Sequence, residues 1–333
     1  MTAIYTNIPG DKSSQVPGLP GVFFDPGSSD FDRPYGSPNG TWAITANADL
    51  STTMDELLIV RGKLVAQEGT PAEFAPGENV GFLDTKIAVN DAGQYVFTTN
   101  TNGPTTADEY VVAGIVGGAQ MTVVKEGDSA SPPLAAGAMW DEPLDSPVIL
   151  ADGTVGFAAD GIDGIPTTND DVLVIGSTIL AQKGITIPTG QIGNEPWENY
   201  DINDFFVTPD GLHWLAQGDL TGSSTTDDVV VVDGAVVVQE GVILPGSGFS
   251  EPVDSSGIVG CFLAPNGTYF VRGNNDITEQ DWVYSNGAVI AAVGLPLQQG
   301  ALELWDDRTY RCGVLLHVVD VVEHHAGQIQ AGR

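Results

Sequence analysis

Aligned with itself, this 333-residue chain yields five near-copies of one unit. Each copy runs turn glycine, strand, polar loop, acidic pair, apolar strand, tight turn, apolar strand and closing glycine. The turn glycines are Gly40, Gly93, Gly153, Gly211 and Gly267, spaced between 53 residues (Gly40 to Gly93) and 60 (Gly93 to Gly153). The closing glycines are Gly69, Gly127, Gly184, Gly241 and Gly294. A period of this size means a propeller, solenoid or array, in which each unit buries its apolar face on its neighbours.

The second copy is the clearest. Residues 86–89 read as a short apolar strand, Asn90-Asp91-Ala92-Gly93 as a turn and 94–98 as the next strand. A polar loop over 100–107 leads to Asp108-Glu109 and a strand, and Met121–Val124 is the last strand before Glu126-Gly127-Asp128. These strands are rich in Val, Tyr, Phe and Thr and are joined by turn-forming residues. Asp233-Gly234 and Asn286-Gly287, between apolar runs, signal two-residue hairpins. Four short antiparallel strands per unit describe a propeller blade better than a β-helix rung. The fold expected is therefore all-β, a single propeller domain over 1–333, with full repeats at 33–69, 86–127, 147–184, 204–241 and 258–294.

A second marker sets the blade number. An aromatic residue closely followed by an acid precedes each innermost strand: Phe31-Asp32, Phe82 with Asp84, Trp140-Asp141, Trp197-Glu198, Phe249 with Glu251, and Trp305-Asp306. Six markers against five full units predict six blades, the sixth closed by residues 306–333 and 1–11. Closure removes sheet edges that would otherwise invite aggregation. Residues 318–333 lack the turn glycine and acidic pair, so this blade is expected to be irregular and to offer an edge for self-assembly.

The units resemble a group of bacterial secreted β-propeller repeat proteins, whose repeats carry Asn-Asp-x-Gly-x-Val-x-Phe and Val-x-x-Glu-Gly-Asp patterns. The matches here are Asn90 to Phe97 and Val123 to Asp128, with degenerate copies such as Val65 to Gly69 and Val237 to Gly241. The resemblance spans roughly residues 30–306 and implies an extracellular or cell-surface setting. It carries over no catalytic residue. Met1 to Tyr5 has no basic-then-apolar signal pattern, so an exported form is expected to have lost its leader. No apolar run approaches the ~20 residues that span a bilayer.

Charge narrows the partners. There are 44 Asp plus Glu against 11 Lys plus Arg, a net −33. Nucleic acid is excluded, because its phosphates would be repelled. Three readings of the acidity remain: solubility in salty water, cation binding, or a basic partner. The two cysteines, Cys261 and Cys312, are too few for a disulfide framework; one bridge or two buried thiols fit equivalent strands of adjacent units.

No Gly-x-Ser-x-Gly elbow, phosphate loop or zinc-helix motif is present. Chemistry is therefore sought on loops carried by the scaffold. The connectors and the second-to-third-strand loops emerge at the same end of each sheet. The connector acids Asp32, Asp84, Asp141, Glu198, Glu251 and Asp306 would hold a cation or bind a ligand if they faced an axis, and would otherwise cap turns. Trp140, Trp197 and Trp305 would stack on a sugar if exposed, and would otherwise fill the core between blades. Asp160, Asp163, Asp170 and Asp171, in a glycine-containing loop, are the most calcium-like donors, although the spacing is not that of the twelve-residue calcium loop. The Thr-Thr-acid loops, such as Thr105-Thr106-Ala107-Asp108, are explained by local bonding to backbone groups.

The leading expectation is a secreted or surface-attached binding or structural module that presents an acidic face to a glycan, an extracellular protein or a cation. The alternatives are a glycan-active hydrolase or lyase with a carboxylate pair, and a subunit of a larger assembly. Thermal melts separate two sources of the acidity. Salt adaptation predicts stabilisation by molar salt whatever the cation, whereas a calcium site predicts stabilisation by micromolar calcium that magnesium does not reproduce.

Overall fold

The computed structural model describes residues 14–25, 31–83, 86–130, 134–201 and 204–294. Among them there is no α-helix, and the strands form five four-stranded antiparallel sheets, each ordered as a simple meander. The first holds β1 (Phe31–Gly36), β2 (Trp42–Asn47), β3 (Glu56–Val60) and β4 (Lys63–Gln67), and the second holds β5 (Ile87–Val89), β6 (Gln94–Asn100), β7 (Glu109–Ile115) and β8 (Gln120–Lys125). After β9 (Met139–Trp140), the third comprises β10 (Leu144–Ile149), β11 (Val155–Asp160), β13 (Asp171–Ile175) and β14 (Thr178–Gln182). Within its loop, β12 (Ile162–Asp163) pairs with β9. The fourth holds β15 (Phe205–Val207), β16 (Trp214–Asp219), β17 (Asp228–Val232) and β18 (Ala235–Gln239), and the fifth β19 (Val253–Leu263), β20 (Tyr269–Asn275), β21 (Asp281–Ser285) and β22 (Ala288–Ala292). The five sheets coincide with the five repeats. Residues 1–11 and 306–333, expected to close a sixth blade, lie outside the described residues.

The chain divides within β14 into two units, one up to Leu180 and one from Ala181. Within the first unit, the sheets are held together by alternate side chains of their middle strands. Tyr95, Phe97, Tyr110 and Val112 join a core with Ala43, Leu58 and Val60 of the first sheet. The intervening Val96 and Val111 join a different core with Phe157, Val172 and Val174 of the third sheet. Successive side chains of a strand point to opposite faces, so strands apolar at every position must be covered on both sides. The first sheet repeats the arrangement, with Leu57 and Ile59 packed under Val16 and Phe24 of the N-terminal segment. In the second unit, Leu215 and Val230 of the fourth sheet share a core with Val253, Leu263, Val271 and Trp282 of the fifth. Sheet on sheet in sequence order is propeller-like packing. Cys261 is a buried free thiol in that last core; Cys312 lies outside the described residues.

The turns form as their sequences dictate. Asp233-Gly234 and Asn286-Gly287 adopt positive φ at both positions (52° and 79°, 45° and 85°), as a two-residue hairpin of primed type requires. Arg61-Gly62 does the same at 48° and 75°, although Arg gives no such signal in sequence. At the other tight turn, Asn90 Oδ1 accepts the backbone N–H groups of Ala92 (3.1 Å) and Gln94 (3.0 Å). Neighbouring turns are also tied in the first unit: Asn39 donates its N–H and its amide to Asp91 at 2.9 and 2.7 Å, and Asn90 donates to the Leu150 carbonyl at 2.9 Å.

Three of the closing glycines have a steric cause. At Gly69 and Gly241 (φ 72° and 64°) an added Cβ would lie 2.5 and 2.6 Å from the carbonyl oxygens of Thr53 and Thr225; at Gly127 (φ 79°) it would lie 3.0 Å from that of Thr106. The sheet's last strand thus turns away directly against its own Thr-Thr loop. Gly241→Ala is expected to cost about 2 kcal/mol or more through φ strain and the contact with Thr225. Urea denaturation against Gly234→Ala, where a Cβ meets nothing within 4 Å, separates the steric part from the φ part.

Candidate functional site

At the connector end of each of the five sheets, a residue at the end of the second strand (the last, or in the fifth sheet the last but one) faces an acid at the start of the third. The pairs are Asn47 with Glu56, Asn100 with Glu109, Asp160 with Asp171, Asp219 with Asp228, and Asn274 with Asp281. Two of these rungs set aspartate opposite aspartate, an arrangement that repels unless other groups or protons intervene. The recurrent acidic pair is therefore placed by strand register, always one rung from the loop.

These rungs fasten the connectors. The Leu83 N–H, where the chain enters the second sheet, donates to Glu56 Oε2 of the first at 2.5 Å. The Leu144 N–H, entering the third sheet, donates to Glu109 Oε2 of the second at 2.8 Å. On the facing positions, Asn100 Oδ1 accepts the Phe82 N–H at 2.7 Å, and Asp219 Oδ2 accepts the Asn199 amide at 2.9 Å. Each side chain satisfies a backbone or amide donor that would otherwise be stranded at a sheet junction. Burial pushes Glu109 up to about 8, against the pull of the Leu144 N–H and with the negative charges of Glu142, Glu126 and Asp145 adding to the rise.

A second set of groups clamps the loop that precedes the acidic pair. Gln67 donates to the Met54 carbonyl at 2.9 Å, and Gln239 to the Thr226 carbonyl at 2.7 Å. Next in sequence, Glu126 accepts the N–H groups of Asp108 (3.0 Å) and Glu109 (3.3 Å). The loop itself is a backbone turn: Met54 N–H bonds Ser51 O, Ala107 bonds Pro104 O and Thr226 bonds Ser223 O, each at 2.8 Å. The glutamates Glu68, Glu126 and Glu240 carry the corner, and sequence reasoning assigned them no role. Their signal was a Glu-Gly dipeptide at one fixed point of three repeats.

The predicted site residues do other things. Glu251 accepts the N–H groups of Ile277 (3.0 Å) and Thr278 (2.9 Å) and the Thr278 hydroxyl (2.9 Å), which hold its carboxyl below the ordinary range. Asp141 caps the Glu142 N–H at 3.0 Å, and Glu198 is exposed. Asp84, Trp305, Asp306 and the side chain of Asp32 lie outside the described residues. Trp140 and Trp197 are buried, 9% and 0% exposed, against Phe157 and Tyr200 at centroid distances of 5.3 and 4.9 Å. The exposure that sugar stacking requires is thus absent at both; Phe82, 48% exposed, is the aromatic the connectors leave open.

The calcium-like loop is organised by backbone. Ile162 pairs with Trp140 and Asp163 with Met139, so the loop lies along the connector. Asp160 and Asp163 are exposed, Asp170 is half-buried and Asp171 is buried. Among the described residues no three His, Cys, Asp or Glu side chains gather closely enough to hold a metal ion, and no helix is long and apolar enough to cross a membrane.

A separate cluster ties the connector of the second sheet. Glu78 accepts hydrogen bonds from the hydroxyls of Thr101 and Tyr110 (3.0 Å for the latter) and lies 3.7 Å from Lys125 Nζ. These donors hold the Glu78 carboxyl below its ordinary range, although burial opposes them.

No protein family profile matches this chain, and no curated protein matches it. Among solved structures, the chain is similar to hydrazine synthase of Kuenenia stuttgartiensis, with a TM-score of 0.33 and 13% identity over 78% of this chain and 63% of that one. The chain thus spans less than two thirds of the relative's length.

The connector ties make a sharp prediction. Glu109→Ala, which strands the Leu144 N–H, is expected to cost about 1–3 kcal/mol. Glu109→Gln keeps an acceptor oxygen and is expected to retain most of that stability in thermal melts at neutral pH.

Proposed function

We propose that this chain is a non-catalytic binding or structural module, secreted or surface-attached. Its scaffold is a six-bladed propeller, the last blade made by residues 306–333 and 1–11, and the connector ends of its sheets present acidic loops to a partner. The observation that carries this reading is the division of labour among the acids. Those that recur by register, such as Glu56 and Glu109, accept backbone N–H groups and hold the scaffold. A carboxylate committed in this way is poorly placed to act as the nucleophile or general acid of a glycosidase, which needs two groups free to face one bond.

Left for recognition in the first unit are solvent-facing acids such as Glu142, Asp160 and Asp163, all exposed. With a net charge of −33, the partner of best complementarity is a basic protein surface, and loops on a rigid sheet scaffold suit that use. A glycan or a cation such as calcium is the other occupant to test.

The experiment immobilises the protein and passes a lysine-rich polypeptide, a neutral glycan panel and calcium chloride over it. Binding of the polypeptide is expected, with an association rate that falls as sodium chloride rises from about 0.05 to about 0.5 M. The double variant D163N/E142Q is expected to slow that association without lowering the melting temperature. Glycan binding indifferent to salt, or hydrolysis of a glycan, would overturn the reading.

A further inference from the structure

Three of the five sheets end in a glutamate placed against another carboxyl. Glu68, Glu126 and Glu240 each precede the closing glycine, and their N–H groups bond the carbonyls of Glu56, Glu109 and Asp228 at 3.0, 2.9 and 3.0 Å. This fixes each glutamate beside the acidic pair of its own sheet. Asp55 acts on Glu68, Asp108 on Glu126 and Asp227 on Glu240, each raising the carboxyl of its glutamate beyond what burial does.

Two carboxylates have no hydrogen between them to share, since an ionised carboxyl only accepts. The corner at Glu240 makes the deficit plain. Glu240 is 3% exposed, and its Oε2 is buried with no donor; Glu68 Oε2 is buried in the same condition. The charges acting on Glu240 come from Asp227 and Asp219. Asp228 beside it feels Asp219, Glu240 and Asp227, with only the neutral amide of Gln217 (3.2 and 3.3 Å) in relief. The buried Cys261 thiol is pushed up by burial first and then by the negative charges of Asp204, Asp201 and Asp228. Every neighbour named is acidic or neutral.

We propose that Glu240 and Asp227 share one proton, and that the same carboxyl–carboxyl latch, repeated at Glu126 with Asp108 and at Glu68 with Asp55, fastens each Thr-Thr loop to the end of its sheet. At Glu240 and Glu68 the proton supplies the missing donor, and at Glu126 it adds to the two backbone N–H groups already bonded there: one carboxyl becomes an O–H that bonds the facing carboxylate, and one negative charge is removed from the corner. Burial, reinforced by the surrounding acids, pushes Glu240 and Asp228 each up to about 7 and raises Glu126 and Glu68.

The sign of the pH dependence follows. A carboxyl whose folded value is raised binds its proton more tightly folded than unfolded. Its contribution is complete below the unfolded value near ~4.3 and is lost as pH climbs through the folded value, here into the neutral range. The latch thus closes on the acid side and opens on the alkaline side.

Thermal melts of the full chain between about pH 5 and about pH 8.5 test this. Wild type is expected to lose several degrees across that window. The variant E68Q/E126Q/E240Q, whose amides donate permanently, is expected to melt with a shallower pH dependence than wild type, the remainder belonging to Glu109 and Asp228, and above wild type at the alkaline end. Glu73→Gln, an exposed acid, controls for the change in net charge and is expected to keep the wild-type slope. A wild-type slope in the triple amide variant would overturn the proposal. If that variant fails to fold, D55N/D108N/D227N places the amide on the facing side, and failure of both sets also counts against the latch. Carboxyl carbon NMR of wild type gives an independent reading: a Glu240 midpoint at an ordinary glutamate's ~4.3 contradicts the shared proton.

Discussion

None of these sheets can stand alone, because their middle strands are apolar on both faces. Val96 and Tyr95 are neighbours in sequence yet belong to different cores. A four-stranded sheet with two apolar faces is stable only when both are covered, so within the first unit the second sheet lies between the first and the third, and within the second unit the fourth packs on the fifth. The repeat in the sequence is the direct expression of that demand. Everything polar in the unit then has to be settled at the sheet ends, where backbone groups emerge without strand partners.

The two ends settle it differently. At the tight-turn end, short side chains such as Asn90 bond their own turn and reach the next one. At the connector end the chain must cross from one sheet to the next, and the donors it exposes there are met by carboxyls and amides held at fixed register. Glu56 and Glu109 reach forward to the entering strand, while Asn100 and Asp219 hold the arriving connector. Acidity in this protein is therefore of two kinds. One part lies on exposed loops and accounts for much of the charge, and another is built into the junctions, where burial and repulsion make protons part of the structure.

The strand pattern was legible because short apolar runs, turn glycines and hairpin dipeptides act locally. The all-β class and the four-stranded antiparallel sheets follow from those signals, and Trp140 and Trp197 are buried. The tertiary partners were not legible. Nothing local says that Glu109 will meet the Leu144 N–H, since that depends on how the second sheet stacks on the third. Arg61 shows the limit at a smaller scale, holding a positive-φ turn position that asparagine or aspartate usually fills. The corner glutamates could have been found by asking why Glu-Gly recurs where an apolar strand ends, because a charged residue kept beside a conformationally required glycine needs a partner of its own.

The central claim is that the register-fixed acids serve as junctions between sheets. Hydrogen exchange at the Leu144 amide tests it most directly, because exchange reports whether that N–H is held in the folded protein. The account predicts slow exchange in wild type and in Glu109→Gln, and fast exchange in Glu109→Ala while the amides of β6 and β7 stay protected. Equal protection of Leu144 in all three proteins would contradict it.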